Sequence, residues 1–354
     1  MILRTNVKLN FGLNVLRKRA DGYHDIETLF VPCYEFGDTL EVIAGDDYSR
    51  TSAALFARYG NMSRQVCPLP AIYPDRARSA GQQGQDLPTI VQGISPDGKL
   101  MITIAREEGV DWEPLKDLCA KAYFLLAEDF DLPPVKIFLE KNAPVGAGLG
   151  GGSADAAFTL KALNDLCTLG LSQEKLSEYA SRLGSDCAFF IWNRPMLGTG
   201  RGEILEPFDI DLSGFETKVL VPEGISVSTA EAYRGIIPRH QSVVAHSLEG
   251  SGATDASLRS APPLVSLRST PVPPLTLPRV ARSAAPLPSG EDLKEVLRRP
   301  VEEWKGLLVN VFETTVFKTH PELAAIKQSL YDSGAVYASM SGSGSALFAL
   351  YKKD

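Results

Sequence analysis

Hydrophobic residues alternate strictly with polar or small residues near the start of the chain. Over residues 8–16 the hydrophobic positions are Leu9, Phe11, Leu13 and Val15. The intervening positions are Lys8, Asn10, Gly12 and Asn14. Because successive side chains of a strand point to opposite faces, this period of two predicts a half-buried β-strand. Lys8 and Asn10 then lie on the same face of that strand.

Other segments show either strand composition or helical spacing. Residues 38–44 and 135–141 are rich in β-branched and aromatic residues, which predicts two further strands. After Ser153 the hydrophobic positions recur at steps of four, three and four: Ala156, Leu160, Leu163 and Cys167. This spacing predicts a helix that Ser153 caps. Residues 172–184 predict a second helix, with Ser172 as its N-cap and Gly184 at its end.

The last part of the chain repeats this mixture of elements. Helical patterns cover residues 300–313 and 320–334. Two strand-like segments follow, 335–340 and 346–351, and the glycine-rich turn 341–345 joins them. Mixed strands and helices of this kind favour an α+β fold.

Two stretches interrupt the pattern. Residues 240–290 lack Phe, Trp and Tyr but contain eight prolines among many Ser and Ala residues. Such a segment cannot bury enough apolar area to offset the entropy of ordering, so we expect a disordered insertion. Residues 61–92 have a similar but weaker bias and predict a flexible insertion.

Composition narrows the class of protein. A chain of 354 residues with 44% hydrophobic residues can bury a full core and is long enough for two domains. The net charge of −7 argues against nonspecific nucleic-acid binding but leaves room for a local pocket for an anionic ligand. The sequence also has no apolar run long enough to predict a membrane span. Its five cysteines form no CxxC pair, which predicts neither a disulfide framework nor a zinc site and favours the cytoplasm.

The stretch PVGAGLGGGSADAA, residues 144–157, holds five glycines between positions 146 and 152. It lies between a predicted strand and a predicted helix, where glycine N–H groups and the positive end of the helix form a cradle for phosphate. Each charge-assisted hydrogen bond there contributes about 1.5–3 kcal/mol. A flexible turn is the simpler alternative. The loop also satisfies GxGxxG, but no acidic residue closes a following strand as a dinucleotide fold requires, and the chain has no GxxxxGK[ST] motif.

This loop resembles the phosphate-binding motif of the GHMP kinases. Three more stretches resemble the GHMP kinases that act on a cytidyl-diphosphate methylerythritol, namely residues 8–30, residues 183–190 with the LGTGRGEILEP that follows at 197–207, and residues 340–351. The resemblance implies transfer of the ATP γ-phosphoryl group, with Mg²⁺ arriving as the ATP complex, to the 2-hydroxyl of this small-molecule substrate in the non-mevalonate isoprenoid pathway. No nucleic-acid or membrane partner is expected.

The resemblance also implies an architecture. It predicts a ribosomal S5 domain 2-like N-terminal domain over residues 1–199, carrying the insertion 61–92. A ferredoxin-like C-terminal domain would follow over residues 200–354, carrying the insertion 240–290. The active site is expected between the two domains.

Two residues are implied to carry the chemistry. Lys8 and Asp186 match the catalytic lysine and aspartate of the family. Asp186 would accept the proton of the acceptor hydroxyl, and Lys8 would keep that carboxylate ionised and offset charge on the transferred group. Taken alone, each has a simpler interpretation, since Lys8 suits a solvated strand and Asp186 a helix cap.

The resemblance assigns further binding residues. The nucleotide is expected at Lys141, at Asp117, which stands where the family often has asparagine, and along the loop at Pro144, Val145, Gly146, Ala147, Gly148, Leu149, Gly150, Gly151, Gly152, Ser153 and Ala154. Ser153 would contact phosphate or Mg²⁺, or simply cap the helix. The acceptor is expected at Asn10, Tyr23, His24, Thr229 and Tyr233, with aromatic rings stacking on cytosine. No protein metal site is predicted.

Two alternatives stay open. A GHMP kinase for another small alcohol, such as homoserine or mevalonate, would have no need of the Tyr23 and His24 pair. A catalytically silent nucleotide-binding regulator would not need both Lys8 and Asp186.

Overall fold

The computed structural model describes residues 1–45, 87–236, 238 and 292–353. The predicted insertion at 240–290 lies outside these residues, as does most of the insertion predicted at 61–92. The last residues of the insertion predicted at 61–92 are described, and there the prediction is wrong. Ile90–Ile94 is a strand that pairs with Leu100–Ala105, because its apolar side chains Ile90 and Val91 are buried in the sheet.

A five-stranded sheet forms the first layer of the described structure. In spatial order its strands are β1 (Ile2–Arg4), β4 (Thr39–Ala44), β7 (Val135–Glu140), β6 (Leu100–Ala105) and β5 (Ile90–Ile94). All neighbours are antiparallel except β6 and β7, which run parallel. The strands predicted at 38–44 and 135–141 are thereby confirmed.

Helices follow these strands along the chain and share their hydrophobic core. They are α1 (Leu118–Ala127), α2 (Gly151–Leu166), α3 (Gln173–Leu183) and the short α4 (Cys187–Trp192). In α3 the predicted cap is confirmed, since the Ser172 side chain accepts a hydrogen bond from Lys175 N. The predicted cap of α2 is wrong. That helix begins at Gly151, and its N-cap is Gly150, whose φ of 75° suits glycine.

A second sheet is antiparallel throughout and has the order β2 (Val7–Lys18), β3 (His24–Cys33), β8 (Met196–Thr199) and β9 (Ile204–Pro207). The strand predicted from alternation is β2, but it is not half-buried. Both of its faces are buried from Val7 to Val15. The polar face is covered because the glycine loop and the turn at 341–345 lie against it.

The remaining elements form a third layer. Its sheet has the order β10 (Phe215–Leu220), β12 (Leu347–Lys352) and β11 (Tyr337–Met340), and its helices are α5 (Thr229–Tyr233), α6 (Leu293–Leu297), α7 (Glu313–Thr319) and α8 (Pro321–Asp332). The helix predicted at 320–334 and the two strands after it are confirmed. The helix predicted at 300–313 is wrong, because only the short 3-10 turn Val301–Glu303 forms there before α7.

Strand β2 joins the second and third layers. Leu13 exchanges backbone hydrogen bonds with Val309 and Val311, at 2.9 and 2.8 Å. The hydrophobic face of β2 also packs on the third layer. There the Phe11 ring lies 4.7 Å from the Phe348 ring and 6.0 Å from the Trp304 ring. The polar face of β2 is thereby fixed in position above the glycine loop.

Candidate active site

Two cavities meet at the glycine loop. The larger, of about 790 Å³, is lined by Lys8 and Asp186 together with all five predicted acceptor residues, Asn10, Tyr23, His24, Thr229 and Tyr233. The smaller, of about 320 Å³, is lined by Trp112, Asp117, Leu118, Lys141 and every residue of the loop from Pro144 to Ser153. Gly146, Gly148, Gly150 and Ser153 line both cavities, so the loop forms the boundary between them. We call them the acceptor cavity and the nucleotide cavity.

The backbone of the loop is held from both sides. Gly148 and Gly150 have φ values of 77° and 75°, a conformation that disfavours any side chain. A Cβ added at Gly148 would lie 2.2 Å from the carbonyl oxygen of Ser341, and one at Gly150 would lie 3.1 Å from Lys8 Cε. Glycine is required at position 148 because the loop packs there against other main chain. Ala154, also predicted to bind the nucleotide, is fully buried inside the first turn of α2.

Lys8 reaches the loop from β2. Its Nζ donates to Asn10 Oδ1 at 2.5 Å and to the carbonyl oxygen of Gly148 at 3.0 Å. The side chain is 4% exposed. Burial of a lysine needs partners for its charge, and the solvated-strand interpretation of Lys8 is therefore wrong.

The partner of that charge is Asp186, 3.3 Å from Lys8 Nζ through Oδ2. Asp186 occupies the N-cap position of α4, but its side chain makes no capping hydrogen bond. Its carboxylate is instead directed to Lys8, and with 29% of the side chain exposed it remains open to the acceptor cavity. The structure thus brings together two residues that lie 178 positions apart in the sequence, 186 less 8.

Aromatic side chains line the far end of the acceptor cavity. The His24 and Tyr233 rings stack on each other at 4.5 Å with an interplanar angle of 18°, and Tyr233 also contacts Phe312 edge-on at 4.8 Å. Burial, and secondarily the charge of Asp186, raises the pKa of Tyr233 to about 12. Tyr23 differs from this pair because the residue is 56% exposed. Thr229 begins α5 at the same end of the cavity.

The two predicted nucleotide residues outside the loop are held by protein contacts. Asp117 caps α1, with Oδ1 accepting from Cys119 N at 2.8 Å and Oδ2 accepting from Trp112 Nε1 at 2.9 Å. Lys141 donates to Asp38 and, at 2.6 Å, to Asp155. Both residues still line the nucleotide cavity.

Lys141 belongs to a buried cluster that the sequence analysis missed, which we call the sealed triad: Asp38, Lys141 and Asp155. Asp38 also accepts from the backbone N–H groups of Asn142 and Ala143, at 2.6 and 2.7 Å. The charges of Asp155 and Asp38 raise the pKa of Lys141 although burial opposes them. Burial raises the pKa of Asp155 to about 8 against the attraction of Lys141. The sequence feature that could have drawn attention to Asp155 is a carboxylate between two alanines of the glycine-rich motif 144–157.

A second missed residue is Asn310. Its side-chain amide donates to the carbonyl oxygens of Met340 and Gly342, both at 2.8 Å, and so holds the turn at 341–345 against β2. Gly342 and Ser343 of that turn line the acceptor cavity.

Two kinds of feature are absent from the described residues. Among the helices of that part of the chain, none combines the length and apolar character needed to cross a membrane. Over the same residues, no cluster of His, Cys, Asp and Glu has the arrangement of a metal site.

Comparison with known proteins agrees with this geometry. Residues 117–194 match the family described as GHMP kinases N terminal domain, and residues 292–354 match GHMP kinases C terminal. A protein of Bacteroides fragilis named 4-diphosphocytidyl-2-C-methyl-D-erythritol kinase is 36% identical over 100% of this chain and 93% of its own. A protein of Azobacteroides pseudotrichonymphae with the same name is 36% identical over 100% of this chain and 94% of its own.

Solved structures show the same likeness. A crystal structure of 4-(cytidine 5'-diphospho)-2C-methyl-D-erythritol kinase is 25% identical, with a TM-score of 0.56 over 99% of this chain and 90% of that one. The predicted α+β GHMP kinase fold is confirmed, and the chain is an ATP-dependent small-molecule kinase. It belongs to the GHMP kinase family, within the group of 4-diphosphocytidyl-2-C-methyl-D-erythritol kinases.

Proposed function

We propose that the chain transfers the γ-phosphoryl group of ATP to the 2-hydroxyl of 4-diphosphocytidyl-2-C-methyl-D-erythritol. The observation that carries this proposal is the ion pair of Lys8 and Asp186, 3.3 Å apart, on the acceptor side of the glycine loop. The names of the curated relatives supply the acceptor. The aromatic end of the same cavity suits a cytosine base.

The smaller cavity suits the base of ATP. Trp112 and Leu118 give it apolar walls, and the loop continues from it into the acceptor cavity. The triphosphate would lie along the loop, where N–H groups at the start of α2 donate to phosphate oxygens. Mg²⁺ would enter with ATP as part of that substrate, and we assign the contact with phosphate or the ion to Ser153, which lines both cavities.

The reaction itself needs a base and a positive charge. Asp186 accepts the proton of the 2-hydroxyl as the hydroxyl oxygen attacks the γ-phosphorus, and the bond from that phosphorus to the bridging oxygen breaks, so that ADP leaves. Lys8 holds the carboxylate in place and stabilises the negative charge on the equatorial oxygens of the transferred group. Asn10 fixes the ammonium of Lys8 through its side-chain oxygen, and donates from Nδ2 to Thr28 at 3.1 Å. We assign acceptor binding to Tyr23, His24, Thr229 and Tyr233.

Two wider assignments are also proposals. We divide the chain into domains at residues 1–199 and 200–354, with the acceptor cavity between residues of both. We place the reaction in the cytoplasm, where ATP is supplied and thiols stay reduced. The four cysteines of the described residues, Cys33, Cys119, Cys167 and Cys187, are all free, as that compartment requires.

A coupled ADP-release assay tests the acceptor. We expect turnover with the cytidyl-diphosphate methylerythritol at a kcat/KM at least about 10⁴ higher than with mevalonate or homoserine, because a site built around polar groups strongly rejects ligands that leave them unpaired. Phosphorus NMR of the product identifies the esterified hydroxyl. Faster turnover of either smaller alcohol would replace the proposed acceptor while keeping the kinase assignment.

A further inference from the structure

The proposed acceptor carries two phosphates between its base and its reacting alcohol, and the acceptor cavity has few positive charges to meet them. The described residues that line it include two permanent cations, Lys8 and Arg201. Burial, and secondarily the charge of Lys18, lowers the pKa of His24, so its imidazole is neutral at pH 7. Lys8 is already bound to Asp186, Asn10 and the loop. Of these two cations, Arg201 is therefore the one whose terminal N–H groups make no hydrogen bond to the described residues and are left for the acceptor.

Arg201 and its neighbour Gly202 lie close to two different parts of the acceptor cavity. It is at the tip of the hairpin that joins β8 and β9, and its guanidinium carbon is 5.2 Å from the centre of the Tyr23 ring. The next residue, Gly202, lies beside the reacting carboxylate, since a Cβ added there would be 3.6 Å from Asp186 Oδ1. The hairpin tip thus extends from the proposed cytosine site to Asp186, the proposed catalytic base. A diphosphate that links cytidine to the alcohol must cross the same interval.

The hairpin tip is fixed by its own hydrogen bonds. The carbonyl oxygen of Gly200 accepts from Ile26 N of β3 at 2.7 Å. Glu203 Oε2 accepts from Arg201 N at 2.6 Å, and Oε1 lies 3.3 Å from Arg201 Nε. Glu203 therefore holds one edge of the guanidinium and leaves the N–H groups of the two terminal nitrogens for a ligand. The arginine side chain is 31% exposed, so its charge is partly desolvated.

We propose that Arg201 binds the diphosphate of the acceptor through its terminal N–H groups, with Glu203 as the positioning residue that orients the guanidinium. This inference rests on the proposed function. A guanidinium presents a planar pair of donors that matches two phosphate oxygens. Arg201 binds the substrate before and during the reaction, and takes no part in proton transfer. Its role is to select an acceptor that carries phosphates over a bare nucleoside or a small alcohol.

Binding of cytidine and of CDP to the ATP-free protein, measured by calorimetry, isolates the contribution of the diphosphate. Wild type should bind CDP about 10- to 100-fold more tightly than cytidine, the range expected for hydrogen bonds to a charged group. Arg201→Ala should lose most of that ratio while its cytidine affinity stays unchanged. Arg201→Lys, which keeps the charge without the planar pair, should retain an intermediate ratio.

Kinetics with the full acceptor give a second measurement. Arg201→Ala should raise KM for the cytidyl-diphosphate methylerythritol about 10- to 100-fold, with kcat and the KM for ATP little changed, because the contact is made in both ground and transition states. Arg194→Ala is the matched control, since Arg194 also lies over an aromatic ring, 5.7 Å from that of Trp192, and lines neither the acceptor nor the nucleotide cavity. It should behave as wild type.

The outcomes separate this inference from the proposed function. If wild type turns over the acceptor but Arg201→Ala keeps both the CDP-to-cytidine ratio and the KM, the diphosphate lies elsewhere and the inference is wrong. A rise in KM for ATP alone would assign Arg201 to the nucleotide and also overturn it. If wild type does not phosphorylate the acceptor, the proposed function fails, whereas the binding ratio still decides the role of Arg201 toward a nucleoside diphosphate.

Discussion

Lys8 and Lys141 both lie against aspartate carboxylates near the glycine loop, but their surroundings differ. Lys8 is 4% exposed, and its partner Asp186 is 29% exposed at the wall of the acceptor cavity. In the sealed triad, Lys141 is 5% exposed while Asp38 and Asp155 are 0% and 1% exposed. One carboxylate can therefore reach a ligand and the other two cannot. The residue types are the same in both clusters. Only the exposure of the carboxylate to a cavity distinguishes the cluster proposed to catalyse from the one that stabilises the fold.

The largest expected effect tests the pair of Lys8 and Asp186, which we call the open pair. Asp186→Asn should lower kcat by about 10²- to 10⁴-fold, because the amide keeps the shape of the carboxylate but cannot accept the hydroxyl proton. The coupled ADP-release assay measures the loss, and thermal unfolding should show a midpoint close to that of wild type. Activity within a factor of about three of wild type would remove Asp186 from proton transfer.

The next effect tests the sealed triad. Lys141→Met should destabilise the protein by about 3–5 kcal/mol, because it leaves the buried side chains of Asp38 and Asp155 without their cation. Urea unfolding measures this change. Lys8→Met is the matched comparison and should lose activity with a smaller change in stability, since Asp186 can turn to water. Equal stability losses in the two variants would end the distinction between the pairs.

A third prediction concerns the pH dependence of stability. The pKa of Asp155 rises from 3.8 in the unfolded chain to about 8 in the folded protein, chiefly through burial. Between these values the folded protein binds more protons, so the contribution of Asp155 to stability falls as pH rises, by on the order of 1 kcal/mol per pH unit. Asp155→Asn should remove this slope and keep activity at pH 7.

Urea titrations of wild type and Asp155→Asn between pH 5 and about 8 make this comparison. The difference in unfolding free energy should shift in favour of the variant as pH rises. Parallel curves would mean that Lys141 keeps Asp155 ionised throughout, and the triad would then carry a net negative charge.

The smallest effect concerns a solvent-exposed ion pair of a lysine and a glutamate. Lys175 lies 2.6 Å from Glu178 on α3, and the two side chains are 53% and 65% exposed. Lys175→Ala should change the free energy of unfolding by less than about 0.5 kcal/mol, because solvent screens the pair. Urea unfolding should give this small difference at low salt and a smaller one at high salt, because added salt screens exposed charges further. A loss above 1 kcal/mol would show that access to solvent is a poor guide to the other two clusters.

The sequence predicted the open pair better than the sealed one, for a physical reason. Alternation in β2 placed Lys8 and Asn10 on one face, and family motifs supplied Asp186. Alternation could not predict that this face is buried, because the residues that cover it, Gly148 and Ser341, are distant in sequence. The alternation of residues along a strand shows which side chains share a face. Burial of that face depends on which other segments pack against it.

The fate of Lys141 shows the same limit. Its place before the glycine loop matched a nucleotide-binding lysine, and the residue does line that cavity. One of its two carboxylate partners, however, is Asp38, 103 residues earlier, where the sequence shows only an acidic residue at the start of a predicted strand. The helix predicted at 300–313 failed for a similar reason, since Trp304 and Leu308 are buried in the shared core from a turn rather than from a helix face.

The contact between the glycine loop and the turn at 341–345 has a consequence for how such genes change. Ser341 Oγ donates to the carbonyl oxygen of Gly148 at 3.3 Å, and Ala346 N donates to that of Ala147 at 3.1 Å. Both acceptors and one of the two donors are main-chain atoms, so the contact depends on the register of the two segments and, at position 341, on a hydroxyl side chain. Recombination between related genes can therefore exchange these two segments only if neither gains nor loses a residue and position 148 stays glycine, because a Cβ there would lie 2.2 Å from the carbonyl oxygen of Ser341.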